Sequence, residues 1–277
     1  MTLALFFFAA LALSTFAGLL GSMLGLGGGI IVVPALTLLL GIDIRYAIGA
    51  SIVSVIATSS GAAARYVRES VPNLRVAMFL ELGTTVGALG GAFLAGLIAP
   101  QWLYVLFGLL LLFSAATMWR KSDANVVAPS DRLADALRLH GALPSGYGAP
   151  AMPYRVGRSR FGFVISIVAG VLSGLLGIGG GVLKVPAMNL AMGIPIKAAT
   201  ATSNLMIGVT AAASAGVYFS RGDIDPFIAA PVTLGALAGA ALGAVLMRRV
   251  AAKHLKLAFT VVLWIVALEM MRKGISQ

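Results

Sequence analysis

Long apolar runs alternate along the chain with short charged clusters. Leu3 to about Leu20 is the first run, followed by Tyr46–Ala64, Leu74–Ala99 and Trp102–Trp119. After a polar stretch from Arg120 to Arg160 the pattern returns in Phe161–Gly177, Ala198–Phe219, Phe227–Met247 and Leu255–Met271. A helix needs about 20 apolar residues to cross a bilayer core of about 30 Å. Two further runs, Ile30–Gly41 and Val182–Gly193, are apolar but too short for a comfortable span. Together the runs predict an all-α polytopic membrane protein with about 8 to 10 membrane segments. The first run resembles a signal peptide, but it lacks a positive n-region and has a counterpart at Phe161–Gly177, so it is expected to be retained.

Composition supports the membrane assignment. The 277 residues are 60% apolar and 10% charged, against about 25% charged in soluble domains. There is no cysteine, which excludes disulfides, Fe–S clusters and thiol catalysis. The two histidines, His140 and His254, lie near charged segments, so no histidine-ligated metal is expected. No cofactor is expected either.

The two halves resemble each other at an offset of 152 residues. Gly25-Leu26-Gly27-Gly28-Gly29 recurs as Gly177-Ile178-Gly179-Gly180-Gly181, and Val33-Pro34-Ala35 as Val185-Pro186-Ala187. Residues 25–51 and 177–203 are identical at 13 of 27 positions without a gap. Gly83, Gly87 and Gly91 fall on Gly235, Gly239 and Gly243, a spacing that makes a smooth helix face for close packing. These matches predict a first transmembrane repeat at 1–119, a cytoplasmic connecting loop at 120–160 and a second repeat at 161–277. Within the loop, a short amphipathic helix capped by Ser130 is expected in an otherwise mobile connector.

Charge orients the repeats through the excess of Lys and Arg in cytoplasmic loops. If Phe161–Gly193 crosses once, thirteen Lys/Arg lie inside and six outside. If it returns to its starting side, the split is fifteen to four. The second division is the sharper one, and it makes the repeats inverted. The net charge of +11 is then a record of topology, and no nucleic-acid partner is expected.

Leu3–Leu40 as one helix would be about 57 Å long, too long for one span, while Ile30–Gly41 is too short for a second. The glycine break must therefore lie in or near the membrane, as must the one at Gly177–Gly181. Paired breaks of this kind point to a transport site. Helices starting after Gly29 and Gly181 would present unpaired N–H groups and a positive dipole end, which suit an anion. Alternatively, the glycines serve only bends and helix contacts. The glycine runs fit neither G-x-G-x-x-G nor a P-loop: positions 30 and 182 are Ile30 and Val182, and no Gly-Lys-Ser/Thr follows.

Polar residues inside the apolar runs are the other signal. Thr200-Ala201-Thr202-Ser203-Asn204 is the densest cluster, with Gly49-Ala50-Ser51 opposite it in the first half. Lys184 would face an anion or snorkel to the interface. Glu81 would carry a coupling proton or sit at the interface. Glu269 beside Arg272 reads as an interfacial pair, Arg221, Asp223 and Asp225 as solvated turn residues, and Trp102 and Tyr104 as an aromatic belt.

With its doubled GLGGG/GIGGG motif, the prolines at 34 and 186 and the Ala-Thr-Ala-Thr-Ser-Asn run at 199–204, the sequence resembles the TauE/SafE sulfite exporter family over nearly its whole length. The resemblance implies an inner-membrane carrier for sulfite, sulfoacetate or another organosulfonate, with thiosulfate uptake as an alternative. Gly27, Gly28, Gly29, Gly179, Gly180 and Gly181 would form the breaks, and Ser51, Lys184, Thr202, Ser203 and Asn204 would lie near the substrate. The first half has Gly49-Ala50-Ser51-Ile52 where the second has Ala201-Thr202-Ser203-Asn204, so the two halves are not expected to share binding equally. The expected function is secondary transport of a small anion, with a bilayer as partner and the oligomeric state open. An anion channel with a glycine-lined filter is the competing class. An intramembrane enzyme is disfavoured because the spans hold no Ser–His pair, Asp–Asp pair or metal cluster.

Overall fold

The computed structural model describes residues 2–24, 28–119, 131–144, 151–246 and 252–276. The first half holds α1 (Leu3–Leu24), α2 (Gly29–Pro34), α3 (Ile44–Arg68), α4 (Leu74–Leu97) and α5 (Pro100–Trp119). The second holds α7 (Ser159–Leu176), α8 (Gly181–Pro186), α9 (Ile196–Ser220), α10 (Pro226–Leu246) and α11 (Ala252–Ile275). Between them lie α6 (Arg132–Ala136) and an antiparallel hairpin of β1 (Gly141–Leu143) and β2 (Met152–Tyr154). The protein is an all-α polytopic membrane protein. Among the described residues six helices, α1, α3, α4, α5, α7 and α10, are long and apolar enough to cross a membrane. α9 is more polar, and its Thr202, Ser203, Asn204, Thr210 and Ser214 are buried.

The short helices begin where the glycine runs place them, at Gly29 and Gly181. Each runs through a proline into one π-helical turn, Ala35–Leu39 and Ala187–Ala191. Pro34 and Pro186 supply no N–H and crowd the carbonyl four residues back, which favours a widened turn just beyond them. Both turns then end at a glycine in the left-handed region, Gly41 (φ +69°) and Gly193 (φ +74°). The bounds of α2, its π turn and α3 recur 152 residues later in α8, its π turn and α9.

Helix ends fall into two groups. The Gly157 N–H donates to Met192 O (3.1 Å), so α7 and the α8 segment leave from and return to one end of the bundle. The connector lies at that end. Asn73, which caps α4, donates from Nδ2 to Leu139 O (2.8 Å) and to the Tyr154 hydroxyl (3.1 Å). At the opposite end Arg45, early in α3, donates to Ile98 O (3.1 Å), and Lys273, late in α11, donates to Thr37 O (2.6 Å) in the first π turn. α1 runs parallel to α10, with Leu11 against Gly235 and Leu19 against Gly239. α10 starts at the opposite end, where Asp223 meets Gly49 of α3. The α1–α2 hairpin therefore opens toward that end and the α7–α8 hairpin toward the connector.

Helix pairing joins the halves: α1 packs on α10, α4 on α7, α3 on α9 and α5 on α11. Glycine makes two of these contacts close. A Cβ at Gly87 would overlap Ile167 O of α7, and one at Gly239 would overlap Thr15 O of α1. The other face of α4 carries Met78, Leu82, Val86, Phe93 and Leu97, all exposed and spaced for a lipid-facing stripe.

The connector differs from the sequence expectation. Asp131 caps α6, accepting from the Leu133 and Ala134 N–H groups at 3.0 and 3.3 Å; Ser130 lies outside the described residues. Its other oxygen accepts from the Ser159 N–H at the start of α7 (2.5 Å). Burial pushes the Asp131 carboxyl up, but these hydrogen bonds outweigh it and hold the group below the ordinary carboxylate value. Rather than a loose tether, the described part of the connector is folded onto the bundle. Ala134, Leu139 and Val156 pack with Leu80, Met188, Met192, Ile194 and Met206 in an apolar plug at that end.

Candidate functional site

Helices α3 and α9 cross at the second glycine break. Gly177 and Gly179 turn the chain with φ of +67° and +77°, where a side chain would be strained. A Cβ at Gly177 would press on Ile48 of α3 and one at Gly179 on Ile207 of α9. The hydroxyl of Ser51 donates to Gly177 O (2.8 Å), and a Cβ on Gly29 would meet both of those oxygens. Gly29, Ser51 and the second break thus converge. Gly28 has helical backbone angles, unlike Gly180 with φ +73°, so the two breaks are built differently. Gly27 lies outside the described residues.

One turn into α8 sits Lys184. Its side chain has no exposure, so it does not snorkel to an interface. Gly180 makes room for it: a Cβ there would come within 3.3 Å of Lys184 Cε. Lys184 Nζ donates to Thr210 Oγ1 of α9 (2.7 Å) and lies 3.8 Å from Glu81 Oε2 of α4. Thr210 Oγ1 donates to Glu81 Oε1 (2.7 Å), with Met206 O as a second acceptor within reach at 2.9 Å. Thr84 and Thr85 donate to the same carboxylate at 2.9 and 3.2 Å. Glu81 is 13% exposed, so most of its side chain is covered by protein. An ammonium has three donors, and among the described residues Lys184 uses one of them within hydrogen-bonding distance.

The polar cluster on α9 divides. Thr202 accepts from the Asn73 N–H (2.9 Å) and so holds the turn before α4. Ser203 is fully buried, and its hydroxyl has no partner among the described residues. It shares a helix face with Ile207 and Thr210. Asn204 is buried on the same helix. Among the described residues no group of three or more metal-binding side chains occurs.

Sequence reasoning missed Thr84, Thr85 and Thr210 as partners of Glu81. The first two stand three and four residues beyond it, a spacing that signals contact on a helix. Nothing local signals Thr210, 129 residues away. Two other expectations are corrected. Arg221 and Asp223 are not solvated turn residues: Arg221 donates to Asp223 (2.7 Å) and to Ala92 O (2.5 Å), and stacks over Tyr218 at 4.5 Å. Tyr104 is buried while Trp102 is exposed, so only the tryptophan suits an interfacial belt. Glu269 and Arg272 do form an exposed pair at 3.0 Å.

The family model described as sulfite exporter TauE/SafE matches residues 10–270. The chain belongs to the TauE/SafE family. It is therefore a multi-pass membrane transporter that embeds in a bilayer and moves a small substrate; it is not an enzyme. Similar proteins of this TauE/SafE type carry transporter names. Probable membrane transporter protein YunE of Bacillus subtilis (strain 168) is 28% identical over 271 residues, covering 95% of this chain and 96% of the relative. A probable membrane transporter protein of Xylella fastidiosa (strain 9a5c) is 30% identical over 244 residues, 86% of this chain and 85% of the relative. Probable membrane transporter protein MJ0441 of Methanocaldococcus jannaschii is 24% identical over 269 residues, 92% and 91% of the two chains. No solved structure matches this one.

Proposed function

We propose that this transporter carries a small sulfur-containing anion, such as sulfite, sulfoacetate or another organosulfonate, outward across the inner membrane by alternating access. The observation that carries the proposal is Lys184: a fully buried ammonium with unfilled donors, set beside a glycine break. A buried charge is stabilised only when paired and hydrogen-bonded, and a sulfonate oxygen suits its free N–H groups. Ser203, whose hydroxyl has no partner among the described residues, stands two helical turns from Thr210 on the same face of α9 and would offer a donor to an anion that extends along that face.

Two further features support alternating access. The 152-residue offset in element bounds and the opposed openings of the α1–α2 and α7–α8 hairpins favour inverted repeats, 1–119 and 161–277. Described Lys and Arg residues at the connector end include Arg68, Arg75, Arg132, Arg138, Arg155, Arg158, Arg160 and Lys197, against Arg45, Arg221, Arg272 and Lys273 at the other. That asymmetry favours a cytoplasmic connector.

A thermal-shift screen of the purified protein tests the substrate class. Sulfite, thiosulfate, taurine, sulfoacetate and sulfate are compared with acetate. Selective stabilisation by a sulfur oxyanion, weakened in Ser203→Ala, is expected; an equal response to acetate would defeat the proposed specificity.

A further inference from the structure

The Lys184–Thr210–Glu81 triad has a second consequence, which rests on the anion reading of the Lys184 site. An anion bound to Lys184 brings a second negative charge beside Glu81. With the carboxylate ionised, the buried site would hold one cation and at least two anionic groups, an arrangement that burial penalises heavily. Protonating Glu81 restores the balance for a monovalent anion. We propose that the transported anion and Glu81 compete for Lys184, so that each anion enters the site together with one proton, which is held on Glu81.

The geometry supplies the parts. The Lys184–Glu81 separation of 3.8 Å is looser than a hydrogen bond, so the two charges are already held partly apart by Thr210. The Thr210 hydroxyl has one proton and two acceptors in reach, Glu81 Oε1 at 2.7 Å and Met206 O at 2.9 Å. When Glu81 gains a proton, that O–H donates to Thr210 Oγ1, and the Thr210 hydroxyl turns to Met206 O. No covalent bond changes except the O–H on Glu81, and the proton comes from water. The triad spans α4, α8 and α9, and α3 and α7 pack against these helices. The other charged residues of these elements stand near their ends: Arg75, Arg160 and Lys197 at the connector-end starts of α4, α7 and α9, Arg65 and Arg68 at the connector end of α3, and Arg45 at its opposite end. At the 152-residue offset the counterparts of Lys184, Glu81 and Thr210 are Val32, Thr233 and Thr58, which carry no charge. Among the described residues this is the one Lys–Glu pair, which sets the ratio at one proton per anion.

Methanesulfonate is a suitable probe, because it is monovalent and does not itself titrate near neutrality. Its dissociation constant for the purified wild-type protein is measured from about pH 5 to about pH 8, and proton movement is followed by an internal dye during its uptake into proteoliposomes. Taking up one proton with each anion should make affinity fall by up to about tenfold per pH unit as pH rises, and transport should acidify the lumen by one proton per anion. In Glu81→Gln, binding should become pH-independent and proton movement should cease. Wild-type binding that does not change with pH would overturn the coupling and leave the anion site standing. Proton movement retained in Glu81→Gln would likewise remove Glu81 as the carrier. No methanesulfonate binding at any pH would overturn the anion site and the coupling together.

Discussion

Lys184→Met is expected to lower anion transport by about 30- to 150-fold, the loss of a charge-assisted hydrogen bond of roughly 2–3 kcal/mol at the substrate. It should also destabilise the protein by about 3–5 kcal/mol, because the Glu81 carboxylate is left buried without its cation. These two effects separate in a double variant. Lys184→Met with Glu81→Gln removes both charges and keeps a polar group for Thr84, Thr85 and Thr210, so stability should recover while transport stays lost. Thermal unfolding in detergent and flux in proteoliposomes measure the two. Recovery of transport along with stability would mean that Lys184 serves only the fold.

The second large effect lies in packing. Lipid tails are as apolar as leucine, so helix association in a bilayer depends on close van der Waals contact. Gly87→Ala puts a methyl group into Ile167 O, and Gly239→Ala puts one into Thr15 O. Backbone cannot move aside as a flexible side chain does, so each substitution should cost about 1–3 kcal/mol. Gly90 is the internal control. It lies on the same helix as Gly87, is exposed, and a Cβ there meets nothing within 4 Å. Gly90→Ala should be neutral, or stabilising by up to about 1 kcal/mol through helix propensity. Equal melting temperatures for the Gly87 and Gly90 variants would contradict close packing of α4 on α7.

The membrane architecture was legible because its signal is long and redundant. Apolar runs of spanning length, and glycines at 25–29 and 177–181, mark element boundaries that the structure reproduces at Gly29 and Gly181. Candidate site residues were legible as types but not as partners. Lys184 and Glu81 stood out as charges in apolar segments, yet their meeting through Thr210 depends on how α4, α8 and α9 pack. Thr202 was singled out for its hydroxyl, and the structure uses that hydroxyl to hold Asn73. The connector was least legible. Its fold rests on contacts with distant helices, such as Asn73 to Leu139 and Gly157 to Met192, which no local pattern encodes.

Flux of labelled sulfoacetate into proteoliposomes, followed over a wide concentration range, tests the proposed carrier most directly. Saturable uptake, insensitive to excess acetate and lost in Lys184→Met, is the predicted result. Uptake that rises linearly without saturation, accompanied by ohmic current, would contradict it and make the protein a channel.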